Sequence, residues 1–393
     1  MIAWIGLGCG VVLLALTAAS AIATFMIPRT THARLNKVVS TAIYGLFVLL
    51  TARVQDLARR ERILSVSAPA LLLGLLITWL ALLFAGFTLV LWPLVGGFSA
   101  ALRESGSSLF TLGFAYPSAP GATAIVFIAA AAGLAVLALL ISYLPLLYTA
   151  YNRRETQVTM LEALAGAPPW GPELLARQVL IDNLATLPDL YARWTELAAD
   201  IAESHVNYRV LMYFRSAVPS ASWLLSLLAV MDGAALHLAL NPTSAPSEAR
   251  PLLRVGYLTM RQLADIAGIA APQDPTPADP IELTRAEFDD AARWLAAAGW
   301  QAERSTDEAW PHFHGWRVNY EAAAYRLALH LDLPPAMWSG PRRPGRPDAV
   351  PPRRPMDRRP GGGARLLEVG PGGVLRGPLV MSGMHGAAGR GMR

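Results

Sequence analysis

Few side chains in this sequence combine a reactive type with a useful spacing. His312-x-His314 is the one close histidine pair, and a zinc site takes three or four ligands at defined intervals. No cysteine or well-placed acid accompanies the pair, so both histidines are expected at surface or packing positions. The chain carries no G-x-S-x-G, no H-E-x-x-H and no phosphate-cradling glycine loop. Enzymatic activity, a bound metal and a cofactor are therefore not expected. What remains is a half-polar stretch, Ser107 to Pro117, caught between two long apolar runs. Non-helical backbone is tolerated at membrane depth only where protein buries it or water lines it. We read this stretch as a re-entrant pore loop.

Two spans must hold such a loop. Ala68 to Val95 contains no charged residue, and at about 1.5 Å per residue it is long enough to cross a hydrocarbon core of roughly 30 Å. Gly121 to Tyr151 is long enough too. The 25 or so residues between them are too few for a domain. They suffice for a three-turn pore helix over residues 98–110, an extended segment and a return. The negative C-terminal end of that helix would point toward a central cavity. Arg103 and Glu104 mark its solvated start.

The segment TLGFAYP, Thr111 to Pro117, is similar to the selectivity filter of the potassium channel pore-domain family, whose pattern is T-x-G-Y/F-G-D. Thr111, Gly113 and Phe114 match it; Ala115 and Tyr116 depart from it. The resemblance covers residues 68–151. It implies that Thr111, Leu112, Gly113, Phe114 and Ala115 present backbone carbonyls that replace the hydration shell of potassium or another monovalent cation. One loop per chain then requires a homotetramer. The resemblance also assigns the Thr111 hydroxyl to the filter. Tyr116 stands at the outer mouth where the family has an acid, which removes a negative charge. Ala115 stands where a glycine would ease left-handed backbone angles. On the inner helix, Gly133 and Pro145 are the gate or hinge candidates, with ordinary packing as the alternative, and a gate would lie around Tyr143 to Tyr148. A non-conducting membrane scaffold or sensor that retains the channel topology is the second functional reading.

Composition agrees with a membrane protein that has a soluble part: of 393 residues 54% are hydrophobic and only 16% are charged. The single cysteine, Cys9, excludes a disulfide framework. Charge is unevenly spread. Residues 1–120 hold 8 Lys and Arg against 3 acids, residues 121–338 hold 14 against 22, and residues 339–393 hold 11 against 3.

The expected fold is an all-α membrane protein in five parts. Residues 1–28 form an N-terminal membrane helix ended by Pro28, rather than a cleaved signal peptide, because no positive n-region precedes them. Residues 29–67 form an interfacial helix on the cytoplasmic side, since crossing would split the clusters Arg29, Arg34, Lys37 and Arg53, Arg59, Arg60, Arg62 between two faces. Residues 68–151 are the two-helix pore module, and 152–338 a cytoplasmic α-helical domain. Within that domain Ala221 to Leu240 is apolar enough to resemble a span. Asp232 and His237 interrupt it, and a buried core helix is expected. Thr284-x-x-Glu287 reads as a capping box. Residues 339–393, rich in Pro, Gly and Arg, are expected to be a disordered basic tail. Its charge suits contact with anionic lipid or with the acidic domain, and no specific nucleic-acid binding is expected. The chain then belongs in the inner (plasma) membrane as a multi-pass protein.

Overall fold

The computed structural model describes residues 1–25 and 34–354, and every regular element among them is helical. The membrane-length part comprises α1 (Ile2–Phe25), α2 (Arg34–Leu50), α3 (Leu57–Ser65), α4 (Ser67–Leu91), α5 (Phe98–Leu109) and α6 (Pro120–Ala165). Neither α1 nor α4 contains a charged residue. They run antiparallel: Gly6 lies beside Trp92, Gly10 beside Gly86, and Ser20 beside Trp79. At the crossing, a Cβ on Gly10 would sit 2.8 Å from the Gly86 carbonyl oxygen. Small residues are what let two apolar helices approach this closely.

Residues 34–65 form two helices where the sequence suggests one interfacial helix. Asp56 ends the first segment by capping α3, its carboxylate accepting from the Arg59 amide at 2.6 Å. Arg60 and Glu61, expected on a solvated charged face, are buried. Arg60 pairs with Asp332 at 2.8 Å, Glu61 pairs with Arg215 at 3.3 Å, and Tyr44 of α2 donates to the Leu331 carbonyl. These contacts tie α2 and α3 to residues 331–332 and to Arg215.

Helix α6 is longer than its apolar part. α6 runs unbroken for 46 residues, about 69 Å at 1.5 Å per residue and more than twice a hydrocarbon core. The boundary expected at residue 151 is therefore not a break in the chain. Helix-compatible polar residues follow the apolar run directly, and nothing stops the helix until Gly166 at φ +83°.

The remaining helices are α7 (Gly171–Leu180), α8 (Leu187–Asn207), α9 (Trp223–Leu240), α10 (Ala249–Ala267), α11 (Arg285–Ala298), α12 (Thr306–Arg317) and α13 (Glu321–His330). They enclose α9, every residue of which is buried. Among the described residues four helical segments are long and apolar enough to cross a membrane, but burial separates them. The apolar windows of the segments containing α1, α4 and α6 are 17%, 39% and 22% buried, whereas that of α9 is 100% buried. Lipid-facing helices must leave apolar surface uncovered; α9 has none to offer.

The polar residues of α9 are matched internally. Asp232 accepts from Tyr320 Oη at 2.8 Å and pairs with Arg317, and the His237 ring lies against Trp300. A buried charge persists only when paired. The Thr284–Glu287 capping box forms at the start of α11, and a second, Ser305–Glu308, starts α12.

The basic tail begins later than its composition suggests. Residues 339–354 pack on the domain: Ser339 is buried, Arg346 pairs with Asp332 at 2.7 Å, and Arg354 pairs with buried Glu173 at 2.8 Å while stacking on Trp294. Specific acceptors hold these arginines, which composition alone does not reveal. The expectations for Pro28, Arg29 and the tail from residue 355, lipid contact included, lie outside the described residues.

Candidate functional site

The segment between α4 and α6 enters the helix bundle and comes back. Its helix, α5, starts beside the ends of its neighbours, where Ala101 packs with Leu91, Ala122 and Val126. It ends deeper. Ser105 Oγ donates to the Phe84 carbonyl at 3.1 Å, and the Phe84 and Phe110 rings lie 6.2 Å apart. Leu109, at the last turn, joins a buried cluster with Leu83, Ala129 and Val136. A Cβ placed on Gly133 would lie 2.1 Å from the Leu109 carbonyl oxygen. Gly133 is thirteen residues into α6, a depth of about 20 Å along that helix. Residues 110–119 then climb back to Pro120.

Gly133, expected as a gate or hinge, therefore makes a close approach: its missing side chain is the space the end of α5 occupies. Pro145 lies inside α6 and the helix continues through it. Lacking an N–H, it leaves the Ile141 carbonyl without its intrahelical donor.

The turn out of α5 is a Schellman cap built on Ser107. The Leu112 amide donates to the Ser107 carbonyl at 2.7 Å, and the Thr111 amide to the Ser108 carbonyl at 3.0 Å. Thr111 takes the left-handed position, φ +53°, that glycine usually fills. For a β-branched residue this is strained, by roughly 1–2 kcal/mol. Gly113 repeats a positive φ at +72°. The Gly113 amide reaches the same Ser107 carbonyl at 3.3 Å, and the Ala115 amide donates to Ser107 Oγ at 2.9 Å. Ser107 is buried and organises the whole turn. Sequence reasoning placed it in the loop without recognising that role; its position one turn before the end of an amphipathic helix was the available signal.

The amides of Thr111, Leu112, Gly113 and Ala115 are thus consumed and the carbonyls are not. Among the described residues, no donor reaches the carbonyl oxygens of Thr111, Leu112, Gly113, Phe114 or Ala115. The loop side chains are also uncovered in the single chain: Leu112 is 62% exposed, Phe114 59% and Tyr116 84%. Five acceptor oxygens and three large side chains thus lie open on one short segment.

Past its apolar run, α6 is fastened through Arg154 to α8 and to the segment between α8 and α9. This buried guanidinium donates to the Leu211 and Phe214 carbonyls at 3.0 Å each, meets His205 Nε2 at 3.0 Å and pairs with Glu155 at 2.9 Å. It also stacks on Tyr151 and Trp223. Burial, reinforced by the adjacent Arg154 charge, pushes the His205 pKa well below its ordinary value, so the ring stays neutral. Arg154 thus joins α6 to the segment between α8 and α9. The histidine pair does no comparable work: His314 Nδ1 meets the Pro277 carbonyl at 2.9 Å, and no cluster of metal-ligating side chains occurs among the described residues.

Compared with known proteins, the chain matches no family model, no curated protein sequence and no solved structure.

Proposed function

We propose that this protein is a potassium-channel-like membrane cation channel, a homotetramer whose pore is lined by residues 107–117 of each chain. The observation that carries this reading is the row of undonated carbonyls at Thr111 through Ala115, at the tip of a helix that re-enters the bundle. Such oxygens replace the water of a monovalent cation, and four chains complete the ring. Tyr116 stands at the outer mouth. α6 is the inner helix, and Arg154 links it to a cytoplasmic regulatory domain. Charge bias favours that orientation, because only Arg103 and Glu104 lie between α4 and α6 while the other end of the spans carries the remaining charges. The protein then sits in the inner (plasma) membrane with its C-terminal part in the cytoplasm.

The amides of Leu112, Gly113 and Ala115 fold back onto Ser107, and Ala115 lacks the left-handed angle of a filter glycine. That favours a second reading, a scaffold or sensor that keeps the topology without conducting. Purified protein in liposomes distinguishes them. Potassium flux above that of empty liposomes supports the channel; no flux from folded tetramers refutes it. Flux that appears only with Ala115→Gly and Tyr116→Asp together supports the scaffold.

A further inference from the structure

A cavity of about 100 Å³ lies where α1, α2, α4 and α6 meet the soluble domain. That is well above the roughly 10–15 Å³ that one water needs. Its membrane side is apolar, formed by Leu72, Leu75, Trp79, Leu140 and Tyr143. Its other side is polar and cationic, with Asn36 and Lys37 of α2 facing Asn207 and Arg209, beside Thr24, Ser40, Thr41 and His330. No carboxylate lines it.

Two features of the polar side ask for a ligand. The first is charge. Arg209 donates to the Ile266 carbonyl and Lys37 Nζ lies against Gly268, so both approach the C-terminal end of α10. A helix end carries about half a negative charge, which offsets only a fraction of two cations. Neither has an acidic partner among the described residues. The second is a pair of stranded acceptors. Asn36 Oδ1 and Asn207 Oδ1 are buried with no hydrogen-bond partner. Their orientation is fixed from the other end of each amide. Asn36 Nδ2 donates to Thr24 Oγ1, whose own hydrogen goes to the Ser20 carbonyl, and Asn207 Nδ2 donates to the Glu203 carboxylate at 2.8 Å. Flipping the Asn207 amide would set its oxygen against the Glu203 carboxylate, and flipping that of Asn36 would take the Thr24 hydroxyl hydrogen away from the Ser20 carbonyl. A buried acceptor without a donor costs about 1–3 kcal/mol.

We propose that this cavity holds the head group of a phosphatidylglycerol molecule from the leaflet on the domain side. The phosphodiester meets Lys37 and Arg209, the glycerol hydroxyls donate to Asn36 Oδ1 and Asn207 Oδ1, and an acyl chain follows Leu72, Leu75 and Leu140. One net negative charge, two hydroxyl donors and an apolar tail are the complement of what the cavity presents. The site does not depend on whether the loop conducts.

Native mass spectrometry of the full chain in detergent, with acyl-matched lipids, tests the assignment. Phosphatidylglycerol is expected to be retained at least tenfold better than phosphatidylcholine. Lys37→Gln with Arg209→Gln removes that preference, whereas Arg59→Gln with Arg62→Gln, exposed cations of α3, does not. Equal retention of the two lipids, a preference for zwitterionic phosphatidylethanolamine, or equal loss in both double variants would overturn the proposal. So would glycerol 3-phosphate competing as well as the lipid, which would make the ligand soluble. Should the Lys37 and Arg209 variant not fold, the lipid preferences of the native chain decide alone.

Discussion

Replacing Gly133 by alanine tests the re-entrant geometry at its tightest point. The new Cβ would lie 2.1 Å from the Leu109 carbonyl oxygen, whereas ordinary contact begins at 3.4 Å. The end of α5 must therefore retreat by about 1.3 Å, because a backbone carbonyl cannot swing aside as a side-chain tip can. Overpacking of this kind costs about 1–3 kcal/mol, and the better helix propensity of alanine returns up to about 1 kcal/mol. The net loss is on the order of 1–2 kcal/mol. Gly121→Ala in the same helix is the control, since nothing lies within 4 Å of its Cβ position. Thermal unfolding of purified protein, followed by circular dichroism, should place the Gly133→Ala midpoint a few degrees below that of Gly121→Ala. Because α5 carries the loop, potassium flux from liposomes should fall at least tenfold in the same variant. Equal midpoints and equal flux for the two variants would refute the placement of Leu109 against Gly133.

Four further outcomes follow from particular contacts. Thr111→Gly relieves the left-handed angle at the cap of α5 and should raise stability by about 1 kcal/mol in denaturant or thermal unfolding. Arg154→Gln strips the Leu211 and Phe214 carbonyls of charged donors and should cost about 2–4 kcal/mol, with faster proteolysis between α8 and α9. Asp332→Asn leaves Arg60 and Arg346 buried without their carboxylate and should cost about 3–5 kcal/mol in the same assay. Burial holds His237 at a pKa of about 4, below the 6.5 expected when unfolded. Its contribution is complete above pH 6.5 and is lost as pH falls toward 4, up to about 3 kcal/mol. His237→Gln should flatten that part of the stability-versus-pH curve.

Much of the membrane half was legible because lipid imposes coarse rules. Charge-free runs marked α1, α4 and the first part of α6, and the 25 residues between the last two left room for little besides a short helix and a return. The capping box at Thr284 and the interruption of the apolar run of α9 by Asp232 and His237 are local signals, although the partners of Asp232 stand 85 and 88 residues away. What could not be read depended on partners distant in sequence. Arg60 and Arg354 looked like solvated charges until Asp332 and Glu173 took them in. The cap at Thr111 was hidden because threonine stands where a glycine would have announced it. The length of α6 was missed because a change from apolar to polar composition was taken for a boundary, although no helix breaker stood there before Gly166. The stranded oxygens of Asn36 and Asn207 are visible only once the other end of each amide is assigned.

The central claim is that loops from separate chains converge within the membrane, and one residue reports on it. Phe114 is 59% exposed in the single chain, and Cys9 is the sole native cysteine. In a Cys9→Ser background, Phe114→Cys should give covalent dimers on mild oxidation of native membranes, while a cysteine replacing exposed Leu16 of α1 should not. Phe114→Cys protein that is folded and inserted yet stays monomeric after oxidation would contradict the convergence on which the channel reading depends.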